Sequence, residues 1–400
     1  MTLSSRGVAA VFIGLAAAFA INMMGTTLPT PLYPIYQEQL GFSELMITVI
    51  FAVYAVGVIA ALIITGSWSD QIGRRPMLAL GLIFSAASAV AFIWGGALAP
   101  LLIGRLLSGF SAGIFTGTAT VAVVEMAPRQ WREQATLVAT AANMGGLGLG
   151  PFVAGILAQY APAPLLLCFV LDLVLVALAM VVLYLAPETT RKPDRPRLTI
   201  RKPAVPPGVR GVFVPAAIAG FAGFAVMGLF TAVAPAFIGK VLGYSNHALT
   251  GSVVFMLFIG STIGQTLQSR LPRPARLPVG CLGLIIGMGF LIAAIESGSL
   301  TLMIFAGAIA GAGQGASFRA GMGEITAASP AERRAEVAST FFVVAYVAIS
   351  IPVVGLGLMA RACGLPTAGV IFASAVALLS LISAVSLLAR QRARTETAAP

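Results

Sequence analysis

The chain has 400 residues, of which 58% are hydrophobic and 9% charged, and carries a net charge of +11 at pH 7. Globular domains hold roughly 25% charged residues, so there is too little polar surface for a soluble fold. The basic excess sits in short loops, which excludes a nucleic-acid face on a soluble domain, and three scattered cysteines (Cys168, Cys281, Cys363) with one histidine (His247) offer neither a disulfide framework nor a metal site.

A hydrocarbon core about 30 Å thick needs roughly 20 apolar residues per helix. Apolar runs predict twelve spans, at approximately 7–28, 45–67, 77–94, 101–125, 136–159, 165–186, 212–237, 249–268, 279–295, 300–322, 340–360 and 367–389. The runs lack the alternation of a barrel wall. Arg6 followed by an apolar run to Ala18-Phe19-Ala20 has the outline of a signal peptide. The run continues through Met23 and Met24, with many spans downstream, and is read as the first membrane helix. With both termini in the cytoplasm, twenty of the 24 Lys and Arg fall on the inner side and only Lys240 and Arg361 on outer loops. That bias favours an even number of spans.

Past the second span the chain reads Gly66-Ser67-Trp68-Ser69-Asp70-Gln71-Ile72-Gly73-Arg74-Arg75-Pro76. Gly66 admits a close neighbouring helix, Gly73 permits a tight turn, and Asp70 can pair with Arg74; the plainer alternative is a basic turn obeying the positive-inside rule. In this place the residues Gly66, Asp70, Gly73, Arg74 and Arg75 resemble the signature of the major facilitator superfamily between its second and third helices. The resemblance implies twelve spans in two pseudo-symmetric six-helix bundles, alternating access, and a small-molecule substrate. Glu125, Pro128 and Arg132 close the fourth span in an E-x-x-P-x-x-x-R pattern that, by the same resemblance, joins Asp70 in a charge network holding an inner gate shut. A solvated surface ion pair is the alternative. Pro187-Glu188-Thr189 is a further family feature with little chemistry expected of it.

Within the spans, Arg105 followed by Gly109 and Gly113 resembles the family's fourth-helix pattern linked to proton transfer. A charge inside a span is costly and usually functional, the alternative being an arginine that snorkels to the interface. Gly146, Gly150 and Ala154 share one face of the fifth span, Pro151 bends it, and the stretch through Gly155 resembles the family's antiporter signature. Gly260 and Gly264 of the eighth span are expected partners for this packing. Asp172, in the sixth span, is the only acid well inside a span and a second candidate for proton coupling. Arg319, nearer the inner edge of the tenth span, is expected to snorkel or to pair with Glu324. Asn22, Tyr54, Asn143, Gln265, Gln314 and Tyr346 lie on spans that the resemblance makes cavity-lining, with Met227, Phe230 and Phe341 suited to a greasy substrate.

The chain divides into a first bundle (1–186), a Pro- and Arg-rich cytoplasmic linker (187–211), a second bundle (212–389) and a tail (390–400). Leu40-Gly41-Phe42-Ser43 recurs as Leu242-Gly243-Tyr244-Ser245, Gly66 with Arg75-Pro76 as Gly264 with Arg273-Pro274, and Pro151 as Pro352, at offsets of 202, 198 and 201. Ordered matches at nearly one offset indicate a duplicated six-helix unit, with substrate expected between the halves. No phosphate-binding Gly-Lys-Ser/Thr loop and no enzyme constellation occur. The expectation is a monomeric secondary transporter of the bacterial cytoplasmic membrane, without cofactor, exporting small amphipathic molecules against protons. Two alternatives stay open: a sugar, amino-acid or metabolite carrier, and a receptor of transporter shape without turnover. Drug exporters of the family often carry an acid in the first span, where this chain has Asn22.

Overall fold

The computed structural model describes residues 5–190, 193, 195, 198, 200 and 203–397, and within that set all side chains except those of 5, 6 and 390–397. A bilayer core offers no water to backbone groups, so each spanning segment must satisfy its own, and the apolar runs fold as helices. They are α1 (Ser5–Thr27), α2 (Glu44–Thr65), α3 (Arg74–Ile93), α4 (Leu98–Glu125), α5 (Ala135–Tyr160), α6 (Pro164–Leu185), α7 (Pro207–Ala232), α8 (His247–Leu267), α9 (Arg273–Ser297), α10 (Leu300–Ala328), α11 (Arg334–Cys363) and α12 (Leu365–Thr397). Among the described residues these are twelve helices long and apolar enough to cross a membrane, and no strand forms.

Several boundaries differ from the sequence reading for local reasons. The segment after α1 is not an open loop: Thr30–Leu32 forms a 3-10 turn and Tyr33–Leu40 a short helix. Tyr33 and Tyr36 are buried, and the Tyr36 hydroxyl donates to the Phe92 carbonyl at 3.2 Å. Helix α7 starts at Pro207, not at 212, because a proline is pre-set for the first helical position and has no N–H to lose there. Helix α9 starts at Arg273 and keeps Pro278 inside it, where the expected start was 279. Helix α12 runs on to Thr397, past the expected tail boundary at 390. Arg191, Lys192, Arg197, Arg201 and Lys202 of the linker lie outside the described residues.

The chain forms two compact units. One comprises Met1–Lys202 with His247–Phe255, the other Pro203–Asn246 with Met256–Pro400. In the first, α1 touches α4, α5 and α6, while α3 touches α4 and α6, and α2 touches α4. In the second, α7 touches α10, α11 and α12, while α9 touches α10 and α12. Helix α8 lies on α10, because a side chain at Gly260 or Gly264 would meet the Ala308 or Ala312 backbone. The pairing scheme repeats six helices later. The turn glycines Gly41 and Gly243 of the duplicated motif both take left-handed φ, +67° and +76°, and Pro151 and Pro352 both lie inside helices.

Small residues set the helix spacing, as expected where lipid offers no hydrophobic drive between helices. A Cβ on Gly109 of α4 would strike the Tyr54 carbonyl of α2 and stand 2.9 Å from the Gly57 Cα, whereas Gly117 of the same helix faces open space. Overpacking of this kind costs roughly 1–3 kcal/mol, while Gly→Ala in an unobstructed helix gains about 0.5–1 kcal/mol. Gly109→Ala should therefore lower the unfolding temperature of the detergent-solubilised protein, and Gly117→Ala should leave it unchanged or raise it. Equal responses would show that α2 and α4 are not in backbone contact.

Candidate functional site

Three groups of polar side chains stand out in the first unit. The first is built on the turn between α2 and α3. Gly73 holds φ +110°, a conformation that L side chains rarely adopt, and so places Arg74 at the head of α3 beside Asp70. The Arg74 guanidinium donates to Asp70 at 2.6 Å, to the Ser69 hydroxyl at 2.8 Å and to both oxygens of Glu125 at 3.2 and 3.4 Å. One cation thus clasps the turn after α2 to the end of α4. Asp70 is 54% exposed and Glu125 34%, so water and salt reach the pair and each link contributes at most about 1 kcal/mol.

Glu188, from which little chemistry was expected, anchors this clasp. Its carboxylate accepts from the backbone N–H of Arg74 at 2.9 Å, Arg75 at 3.1 Å, Thr189 at 3.0 Å and Thr190 at 3.2 Å. It therefore caps the start of α3, where unsatisfied donors and the helix dipole favour an anion. The Thr189 hydroxyl donates to Glu125 at 2.5 Å. Two expected members do not join: Arg132 is exposed without a hydrogen-bond or ion-pair partner among the described residues, and Arg75 sends its guanidinium to the Tyr184 carbonyl at 2.7 Å. Gly66 is helical at φ −59°, a conformation open to any residue.

The second group surrounds the last turn of α1. The helix stops before Pro29 and Pro31, which leaves carbonyls without helical partners. Arg105, 2% exposed in α4, donates to one of them, Thr26, at 2.6 Å. Its guanidinium also lies 4.5 Å from the Tyr54 ring centroid and 5.4 Å from that of Phe51, so it is held among aromatic faces and does not snorkel. Gly109, one turn on, allows the close approach of Tyr54. Asn22, fully buried, accepts from the Ser111 hydroxyl of α4 at 2.8 Å.

From α6, Asp172 is 3% exposed and faces Gly25, where a Cβ would come within 2.7 and 2.9 Å of its two oxygens. Asn22 Nδ2, Arg105 Nε, Ser108 Oγ and Asp172 Oδ1 are all buried without a protein hydrogen-bond partner. Sequence reasoning had Arg105 and Asp172 but missed that α1 brings both to one turn. The small residue at 25 was the available signal.

The third group is the glycine face of α5. Gly146 and Gly150 abut the α1 backbone at Ala20 and at Met24 and Leu28. Pro151 has no N–H for the Leu147 carbonyl, and the Thr27 hydroxyl of α1 takes its place at 2.7 Å. The partner of this face is thus α1 and not the eighth span, whose Gly260 and Gly264 lie on α10. The start of α8 meets α5 further along, where Gly155 faces His247 and Gly251, Gly251 abuts the Pro151 carbonyl, and the His247 N–H donates to Gln159 at 2.9 Å. Asn143 is half-buried and makes no hydrogen bond among the described residues.

In the second unit Gln314 accepts from the Ser261 hydroxyl at 2.7 Å, Gln265 donates to that hydroxyl at 3.3 Å, and Gln314 Nε2 lacks a partner. Phe224 packs at an angle against Phe318 and edge-on to Tyr346, with centroids 5.4 and 6.1 Å apart, and Phe318 stacks on Phe341 at 5.9 Å. Met227 and Phe230 are buried. Arg319 is half-buried near the inner end of α10. Among the described residues no group of three His, Cys, Asp or Glu could hold a metal ion.

Comparison with known proteins agrees with this architecture. Over 139 residues the chain is 29% identical to Multidrug resistance protein 1 of Bacillus subtilis (strain 168), covering 35% of this chain and 36% of that one. Over 161 residues it is 24% identical to the Quinolone resistance protein NorA of Staphylococcus aureus, covering 38% and 42%. These alignments span well under half of each relative. Two solved structures share the fold. One is a bacterial homolog of the human lysosomal transporter Spinster (TM-score 0.71, 16% identity, 95% of this chain and 98% of that one). The other is the xylose transporter XylE of E. coli (TM-score 0.72, 13% identity, 94% and 96%). Residues 15–353 match the family description Major Facilitator Superfamily. The chain is a member of the major facilitator superfamily, a multi-pass membrane transporter family.

Proposed function

We propose that this chain exports small amphipathic molecules by alternating access, driven by protons moving the other way. The observation that carries the reading is that Arg105 and Asp172 each dock on the last turn of α1, Arg105 on the Thr26 carbonyl and Asp172 against Gly25. Groups of this kind are costly inside a membrane and are kept where ions or protons move. The limited likeness to Multidrug resistance protein 1 and NorA supports export. The protein is taken as a monomer in a bacterial cytoplasmic membrane with both ends inside. The Arg74 clasp then serves as an inner gate: it is strong enough to close and exposed enough to open. A receptor without turnover would have no need of such a latch. A sugar or metabolite carrier is the second reading, favoured by the unpartnered Gln314 amide beside Ser261 and Gln265.

The decisive test is accumulation of fluorescent dyes (cationic, neutral and anionic amphipaths beside labelled sugars) in proteoliposomes with and without a pH gradient. Amphipathic dyes should be concentrated only with the gradient. Asp172→Asn and Arg105→Ala should each abolish gradient-driven accumulation while dye counterflow persists. If both variants concentrate dye like the wild type, proton coupling does not run through α1.

The gate makes a separate prediction. Asp70→Asn should leave the protein folded and slow transport by up to roughly fivefold, the effect of about 1 kcal/mol on a rate-limiting closure. Unchanged rates in the well-expressed variant would remove Asp70 from the gate.

Orientation can be read by labelling. After replacement of the exposed Cys363, a cysteine at Arg129 should react only with reagent admitted to the cytoplasm, and one at Lys240 from outside. Labelling of the Arg129 position from outside would reverse the assignment.

A further inference from the structure

A groove of about 340 Å³ lies between the start of α3 and the end of α6. Pro76, Ala79, Met180 and Leu183 form its apolar wall, and Arg75, Tyr184 and Glu188 line it at the helix ends. Arg75 is the second residue of α3 and Tyr184 the last but one of α6, which puts the opening at the depth where hydrocarbon gives way to headgroups. Tyr184 is 78% exposed, at the position where aromatic residues form an interfacial belt.

The charges at the groove are unevenly committed. Arg74 next door is saturated by Asp70, Glu125 and Ser69. Glu188 spends both oxygens on four backbone N–H groups. Among the described residues, the Arg75 side chain bonds to the Tyr184 carbonyl alone. That bond leaves further guanidinium donors on a residue that lines the groove. Arginine pairs with phosphate by two parallel hydrogen bonds, and basic pockets between spanning helices hold anionic headgroups.

We infer that this groove binds an anionic phospholipid, with the phosphate on Arg75 and one acyl chain along Ala79, Met180 and Leu183. The apolar wall and its place at the span ends select a lipid over a soluble phosphate ester. Glu188 belongs both to the groove and to the cap on Arg74, so an occupant bears directly on the backbone that positions the clasp. The inference stands independently of the transported substrate.

The test uses the full chain in nanodiscs of phosphatidylglycerol and phosphatidylcholine in equal parts, with retained lipid measured by mass spectrometry after extraction into detergent. The wild type should retain phosphatidylglycerol over phosphatidylcholine by roughly tenfold, the effect of one charge-assisted contact. Arg75→Gln should bring the ratio near one. Ala79→Trp, which keeps Arg75 and fills the groove, should release the bound lipid, and glycerol phosphate should not displace it. Equal retention of the two lipids by the wild type, an unchanged ratio in Arg75→Gln, full retention in Ala79→Trp, or displacement by glycerol phosphate would each overturn the proposal.

Discussion

A guanidinium inside a membrane span needs an acceptor within reach, and Arg105 finds one in the Thr26 carbonyl. That carbonyl is free because α1 ends just before Pro29 and Pro31, and a helix C-terminus is a favourable place for a cation. Much of the first unit follows from this contact. Helix α4 must lie close to α1, which Ser111 and Asn22 reinforce. Helix α2 must bring Tyr54 over the charge, which Gly57 and Gly109 allow. Asp172 then comes to the same turn from α6 through Gly25, and Thr27 bonds to α5 where Pro151 has left the Leu147 carbonyl open. Three helices are thereby fixed to one turn of α1, and α2 to the arginine that docks there.

The clasp at Arg74 is of a different kind. The α1 contacts are buried and rigid, whereas Asp70 and Glu125 remain in reach of water. Exposed ion pairs are weak, which suits the gate role proposed for this clasp. Glu188 holds the α3 backbone through the N–H groups of Arg74 and Arg75, apart from the Arg74 side-chain links to Asp70 and Glu125. On the proposed function, the buried turn is where protonation would act and the clasp at the helix ends is the reversible latch.

The spans were legible because hydrocarbon imposes a length and a composition on every one of them. The Asp70–Arg74 pairing was legible because its spacing and Gly73 lie within one short turn. What the sequence concealed depended on distant partners. Glu188 caps residues more than a hundred positions away, with a separation of 114 to Arg74. Arg75 looks equivalent to Arg74 in the motif and yet turns to Tyr184. The spacing of Gly146 and Gly150 showed that α5 has a flat face but not which helix would meet it, and α1 rather than α8 does. Asp172 stood out as the one deep acid, but only the fold brings it to Gly25 and so to the turn that holds Arg105.

The account is tested most directly by running the cycle backwards. With the chain reconstituted in liposomes at equal pH on both sides, an imposed gradient of an amphipathic dye should drive protons against the dye flow, reported by a pH indicator sealed inside. The account predicts a proton flux that tracks dye movement in the wild type and is absent from Asp172→Asn, which still exchanges dye. Dye movement in the wild type without proton flux, or an undiminished flux in Asp172→Asn, would contradict it.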